Sequence, residues 1–120
     1  MRSDAEIWKE AERMDAQLFK ALADGTRLRM VELMNGRAYC VRALSLMLDI
    51  SESAVSQHMK VLRDAGLVEG VKYGYYTHYR LCREPIESLF QSLRALAEPP
   101  PVKQECDAKE QVGCGAAKRA

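Results

Sequence analysis

Two sets of side chains in this 120-residue chain could do chemistry. The first is a polar face between Ser51 and Gly66, where Ser53, Ser56, Gln57 and Lys60 fall together once the segment is wound into a helix. Ser and Gln side chains both donate and accept hydrogen bonds, the repertoire that base edges in a DNA major groove demand. The same residues would also make an ordinary solvated face, since Ser and Gln are common on surfaces. The second set is four thiols, Cys40, Cys82, Cys106 and Cys114. Thiolates ligate soft cations, and a trigonal arrangement needs three of them. Oxidation, to a disulfide or polysulfide bridge, is the other chemistry open to them.

The elements around the polar face have the pattern needed to hold it out. Ser51 is suited to an N-cap and Gly66 to the left-handed position after a helix, while Val55, Met59 and Leu62 at i, i+4 and i+7 share the opposite side. Val41 to Ile50 reads as a short helix with Ala43, Leu44, Met47 and Leu48 inward, separated from the Ser51 cap by Asp49 and Ile50 alone. Two short helices joined so tightly form a helix-turn-helix, whose second helix is offered to the groove. Next come two β-rich runs, Leu67 to Lys72 and Tyr75 to Leu81, with Tyr73-Gly74 as the turn. A helix-turn-helix followed by a hairpin is a winged helix. Its tip, Lys72 to Tyr75, would reach a flanking phosphate or the minor groove, with Lys72 and Tyr73 the candidate contacts. His58, on the polar helix, reads as a phosphate or base contact, and His78 as a satisfied strand residue.

The rest of the chain supplies a frame. From Ser3 to Ala23 the apolar residues Ile7, Trp8, Ala11, Met14, Leu18, Phe19 and Leu22 recur at helical spacing, and Ser3 with Glu6 forms a capping box. That stripe is long enough to serve a core at one end and a partner helix at the other, which points to a homodimer. Thr26 to Met34 resumes the helix with Leu28, Val31, Leu33 and Met34 inward, and Arg27 and Arg29 either solvate it or touch phosphate. Glu84 to Glu98 is the last helix, striped by Ile86, Leu89, Phe90, Leu93 and Leu96 before three prolines stop it. The expected fold is therefore mostly α with a β-hairpin wing over residues 1–98, followed by a flexible tail, residues 99–120, that carries Cys106 and Cys114.

Composition narrows the function classes. A 48% hydrophobic content suits one domain with a real core, and a net charge of +1 argues against a nonspecific coating of nucleic acid. No apolar run approaches the ~20 residues of a membrane span, and no signal peptide is evident, so a cytoplasmic protein is expected. There the thiols serve metal or redox work better than a disulfide framework. No Ser-His-Asp order, phosphate loop or paired carboxylates suggest an enzyme.

Three segments carry a family resemblance: Ala21-Leu22-Ala23-Asp24-Gly25-Thr26-Arg27-Leu28-Arg29, the run from Ile50 through Ser51-Glu52-Ser53-Ala54-Val55-Ser56-Gln57-His58-Met59-Lys60 to Val68, and Gly74-Tyr75-Tyr76-Thr77-His78-Tyr79-Arg80-Leu81. From about Phe19 to about Leu96 the chain resembles the ArsR/SmtB family of metal-sensing repressors. The resemblance implies a homodimer packed through its first and last helices that binds an inverted-repeat operator and is released by an inducer. It places Ser53, Ser56, Gln57 and His58 at the family's groove-reading positions and Lys72 to Tyr75 at its wing tip. The effector sites match less well. Where the arsenic and cadmium sensors often carry Cys-Val-Cys-Asp, this chain reads Cys40-Val41-Arg42-Ala43, and an arginine cannot ligate a soft cation. The zinc sensors' last-helix histidine is missing, since no histidine follows His78. Some arsenic sensors place thiols near the end of the last helix, and Cys106 and Cys114 resemble these in location, not in spacing.

The inducer expected is thus a thiophilic metal or metalloid, trivalent arsenic foremost, with Cd(II), Pb(II) and Zn(II) as further candidates. Its ligands would be Cys106, Cys114 and Cys40, or less readily Cys82, which also reads as a small buried hydrophobe. Two other readings stand beside this one. One is a repressor of the same fold whose thiols respond to redox state or sulfide; the other is a winged-helix interaction module that does not bind DNA.

Overall fold

The structure is a computed structural model that describes residues 2–102 and 104. Helix α1 spans Asp4–Leu22, and the Ser3 hydroxyl accepts from the Glu6 amide at 3.3 Å, as the capping box requires. Helix α2, Gly25–Leu33, starts on a second cap, where the Asp24 carboxylate accepts from the Arg27 amide at 3.0 Å. Helix α3, Val41–Leu48, ends at Asp49 in the left-handed region, φ 56°. That turn is closed by the Ser45 hydroxyl, which donates to the Ile50 carbonyl at 2.6 Å. Helix α4, Glu52–Asp64, begins with the Ser51 hydroxyl accepting from the Ala54 amide at 3.0 Å and is followed by Gly66 at φ +78°.

Strands β1, Val68–Tyr73, and β2, Tyr76–Leu81, pair antiparallel from Val68 opposite Leu81 to Tyr73 opposite Tyr76. The loop is Gly74-Tyr75, one residue later than the spacing suggested. A two-residue hairpin turn needs positive φ at its first position, and Gly74, at φ +64°, supplies it. Tyr39 bridges to Tyr79 through two backbone hydrogen bonds, 3.0 and 2.8 Å, and so adds a one-residue bridge along the free edge of β2. Helix α5, Arg83–Ala97, closes the chain against α1. No described helix is long and apolar enough to cross a membrane.

One core joins these elements. It contains Leu18 and Ala21 from α1, Met30 and Val31 from α2, Met34, Leu44 from α3, Val55, Met59 and Leu62 from α4, Leu67, Val68 and Leu89. Two residues expected inside it are not. Leu28 and Met47 are exposed, and Met30 is fully buried instead. Apolar residues occur on more than one side of α2, and packing against α1 and α4 selects the side holding Met30, Val31 and Met34. On α3 the stripe centres on Leu44 and Leu48, which leaves Met47 at its margin.

The stripe of α5 is only half used within the chain. Leu89 is buried and Ile86 packs against the core, but Phe90 (50% exposed), Leu93 (47%) and Leu96 (80%) are not covered. Ile7 and Phe19 of α1 are exposed as well.

Candidate nucleic-acid interface

The buried side of α4 determines its outer side. Val55, Met59 and Leu62 are locked in the core, so the helix cannot turn about its axis without exposing three large side chains. Ser53, Ser56, Gln57 and Lys60 are all exposed as a result. Lys60 Nζ pairs with Asp64 Oδ2 at 3.0 Å, an exposed i,i+4 contact that adds little stability but draws the ammonium toward the end of the helix.

His58 behaves differently from these four. It is half-buried, and its Nδ1 lies 3.3 Å from Arg27 Nη1 on α2. Arg27 also donates through Nε to the Ala21 carbonyl at 2.7 Å and through Nη2 to the Lys20 carbonyl at 3.2 Å. The arginine that could have been a phosphate contact or a solvated residue is therefore an internal tie between α1, α2 and α4. No local pattern announces it, because its partner lies 31 residues away. The Arg27 amide, which caps onto Asp24, holds that carboxyl below its ordinary value. Burial opposes the shift, and the charge of Arg27 and the Thr26 amide add to it.

The wing stands out with Lys72, Tyr73, Gly74 and Tyr75 exposed, Tyr75 completely so. The ring of Tyr73 meets His78 edge-on, 5.1 Å between centroids and 89° between planes. His78 is not the satisfied residue expected, because its Nδ1 is buried without a hydrogen-bond partner among the described residues. The aromatic neighbour supplies packing in place of a hydrogen-bond partner. Arg80 Nη2 reaches Glu69 Oε1 across the strands at 2.6 Å, and the Arg63 guanidinium at the end of α4 lies 5.9 Å from the centre of the Tyr79 ring. The second contact ties the base of the wing to α4.

The thiols are spread over the fold. Cys40 is the half-buried N-cap of α3 and opens into a cleft of about 340 Å³ shared with Arg42, Glu52, Tyr75, Tyr76 and Tyr79. Cys82 is the N-cap of α5 and is half-buried rather than buried; its amide donates to the Leu67 carbonyl at 2.8 Å. Burial pushes its thiol pKa up, the charges of Glu69 and Glu84 push it the same way, and Arg80 opposes them. Cys106 and Cys114 lie outside the described residues. Among the described residues no three His, Cys, Asp or Glu side chains gather as a metal site. The described thiols of a single chain thus do not make up a three-ligand set by themselves.

A family profile described as "Bacterial regulatory protein, arsR family" matches residues 24–70, from the Asp24 cap through α4 into β1. The arsenical resistance operon repressor of Bacillus subtilis (strain 168) is 38% identical over 74 residues, which is 61% of this chain and 70% of that protein. The chain belongs to the arsR family. The arsenical resistance operon repressor of Escherichia coli (strain K12) is a more similar relative of this arsR-family chain, 46% identical over 66 residues. The match spans 54% of this chain and just over half, 56%, of the Escherichia coli protein. Among solved structures, a Mycobacterium bovis domain is superimposable with a TM-score of 0.65 at 27% identity, over 80% of this chain and 87% of that one. It is described as a homodimeric winged helix-turn-helix DNA-binding domain of a possible ArsR-family regulator. Helices α3 and α4 with the β1–β2 hairpin are thus a winged helix-turn-helix, and the arsR family is one of transcriptional regulators, not of enzymes.

Proposed function

We propose that this arsR-family regulator is a cytoplasmic, homodimeric repressor that binds an inverted-repeat operator and is released by a thiophilic metal or metalloid. The observation that carries the DNA reading is the rigid α4, whose three buried residues aim Ser53, Ser56, Gln57 and Lys60 at solvent. Exposed Lys72 and Tyr73 on the wing supply the flanking contact. Phe90, Leu93 and Leu96 of α5, with Ile7 and Phe19 of α1, give a second copy an apolar surface to cover. Two-fold pairing through these helices would set two copies of α4 on half-sites about 34 Å apart.

Trivalent arsenic is the first candidate inducer, since the Escherichia coli and Bacillus subtilis relatives are named as arsenical resistance repressors and since soft ions favour thiolates. Cys106 and Cys114, from residues 99–120, would supply two ligands and Cys40 a third, with Cys82 the less suitable alternative because its thiol resists ionisation. Arg42, two residues after Cys40, rules out a second thiolate in that turn. Only a small bias is needed, since a differential affinity of ~1–3 kcal/mol changes operator binding by roughly 5- to 150-fold.

The test is fluorescence anisotropy of the reduced protein on duplexes from the promoter of its own gene. Specific binding to an inverted repeat, weakened by Gln57→Ala and by arsenite, is expected. Arsenite release should vanish in Cys106→Ser and Cys114→Ser. Binding no tighter than to random duplex would overturn the repressor reading. Release by oxidant but not by arsenite, Cd(II) or Pb(II) would replace the metal with a redox signal.

A further inference from the structure

The contact between Arg27 and His58 determines which nitrogen of the imidazole carries a proton. A guanidinium has five N–H donors, no acceptor and a permanent charge. At 3.3 Å from Arg27 Nη1, His58 Nδ1 can only accept, so the neutral ring holds its proton on Nε2. The arginine does not adjust to the histidine. Its Nε and Nη2 are already spent on the Ala21 and Lys20 carbonyls at the end of α1, and its amide on the Asp24 carboxylate. Nη1 is aimed by that junction before the imidazole meets it.

We propose that Arg27 is a positioning residue for DNA recognition. It holds half-buried His58 in the Nε2–H tautomer, so that the ring presents one directed donor to a phosphate oxygen beside α4. The inference rests on α4 being the DNA-reading helix. A phosphate is the fitting acceptor because His58 sits at the flank of the exposed polar face, where backbone contacts set register while Ser53 and Gln57 face outward. An imidazole free to exchange tautomers would offer a lone pair to that anion part of the time. The arginine removes the wrong form.

The tautomer is read directly by nitrogen-15 NMR of the imidazoles in the full chain. The chain has two histidines, so the His58→Gln variant assigns the signals. Wild type is expected to show His58 protonated at Nε2 with an unprotonated Nδ1, and Arg27→Gln to show a mixture of tautomers. Operator affinity should fall roughly tenfold in Arg27→Gln. The double variant should bind no more weakly than His58→Gln, because without the imidazole there is nothing left to orient. An Nδ1–H tautomer in the wild type overturns the proposal, and so do independent, multiplying losses from the two substitutions. If Arg27→Gln proves unfolded by circular dichroism, the wild-type spectrum together with operator titration of Arg27→Lys decides the matter: an ammonium, which like the guanidinium only donates, should keep the tautomer and most of the affinity. Wild-type protein that shows the Nε2–H form yet binds no operator would sink the repressor reading, not the assignment of the proton.

Discussion

Gly70 lies against the ring of Tyr79, its cross-strand partner. A Cβ at position 70 would sit 3.1 Å from Tyr79 Cε1 and 2.8 Å from the Thr77 methyl, closer than packed carbons approach. Tyr79 has little room to yield, because Tyr39 holds its backbone and Arg63 stands 5.9 Å from its ring. Gly70→Ala should therefore destabilise the fold by about 1–3 kcal/mol, as overpacking does, with urea unfolding as the measure. Its operator affinity should drop too, since the wing tip is aimed from this pair.

The exposed face of α4 should separate recognition from stability. Gln57→Ala is expected to cost ~1–3 kcal/mol in operator binding, measured by anisotropy, while its unfolding free energy stays within about 0.5 kcal/mol of wild type. Lys72→Ala should weaken all duplexes alike and reduce the salt dependence by about one counterion.

Acidification should expose the contribution of Asp24. Its carboxyl is held below the ordinary value of 3.8, so the charged form favours the folded state. That stabilisation is complete above 3.8 and is lost as pH falls through the depressed folded value. Asp24→Asn, which keeps a capping group but no charge, should be less stable than wild type at neutral pH, and the gap should close in strong acid. Thermal melts across the acid range provide the comparison.

Cys82 should react slowly. The thiolate is the nucleophile, and burial with Glu69 and Glu84 nearby keeps this thiol protonated. In timed iodoacetamide labelling read by mass spectrometry, the Cys82 peptide is expected to lag the Cys40 peptide at mildly alkaline pH. Glu69→Gln should shorten the lag.

A charge on the uncovered part of α5 should separate assembly from folding. Phe90 and Leu93 are about half exposed in the single chain, so Phe90→Glu or Leu93→Glu leaves the core of each copy intact. Sedimentation velocity is expected to show a monomer and circular dichroism native helix content, and operator affinity should collapse because two half-sites are no longer read together.

Much of this architecture is legible in the sequence. The caps at Ser3 and Ser51, the buried trio of α4, the hairpin and the break at Gly66 depend on residues within a few positions of one another, and such short-range preferences are written in the order of the chain. The polar face of α4 followed from them, because a helix with one side buried has no freedom in what it shows. Tertiary packing alone decided the remainder. It chose Met30 over Leu28 for the core, left Met47 outside, joined Tyr39 to Tyr79 and turned Arg27 inward onto His58. Each of these depends on a partner brought near only by the closing of the whole fold, and periodicity, which is a property of one helix at a time, carries no record of what that helix will meet.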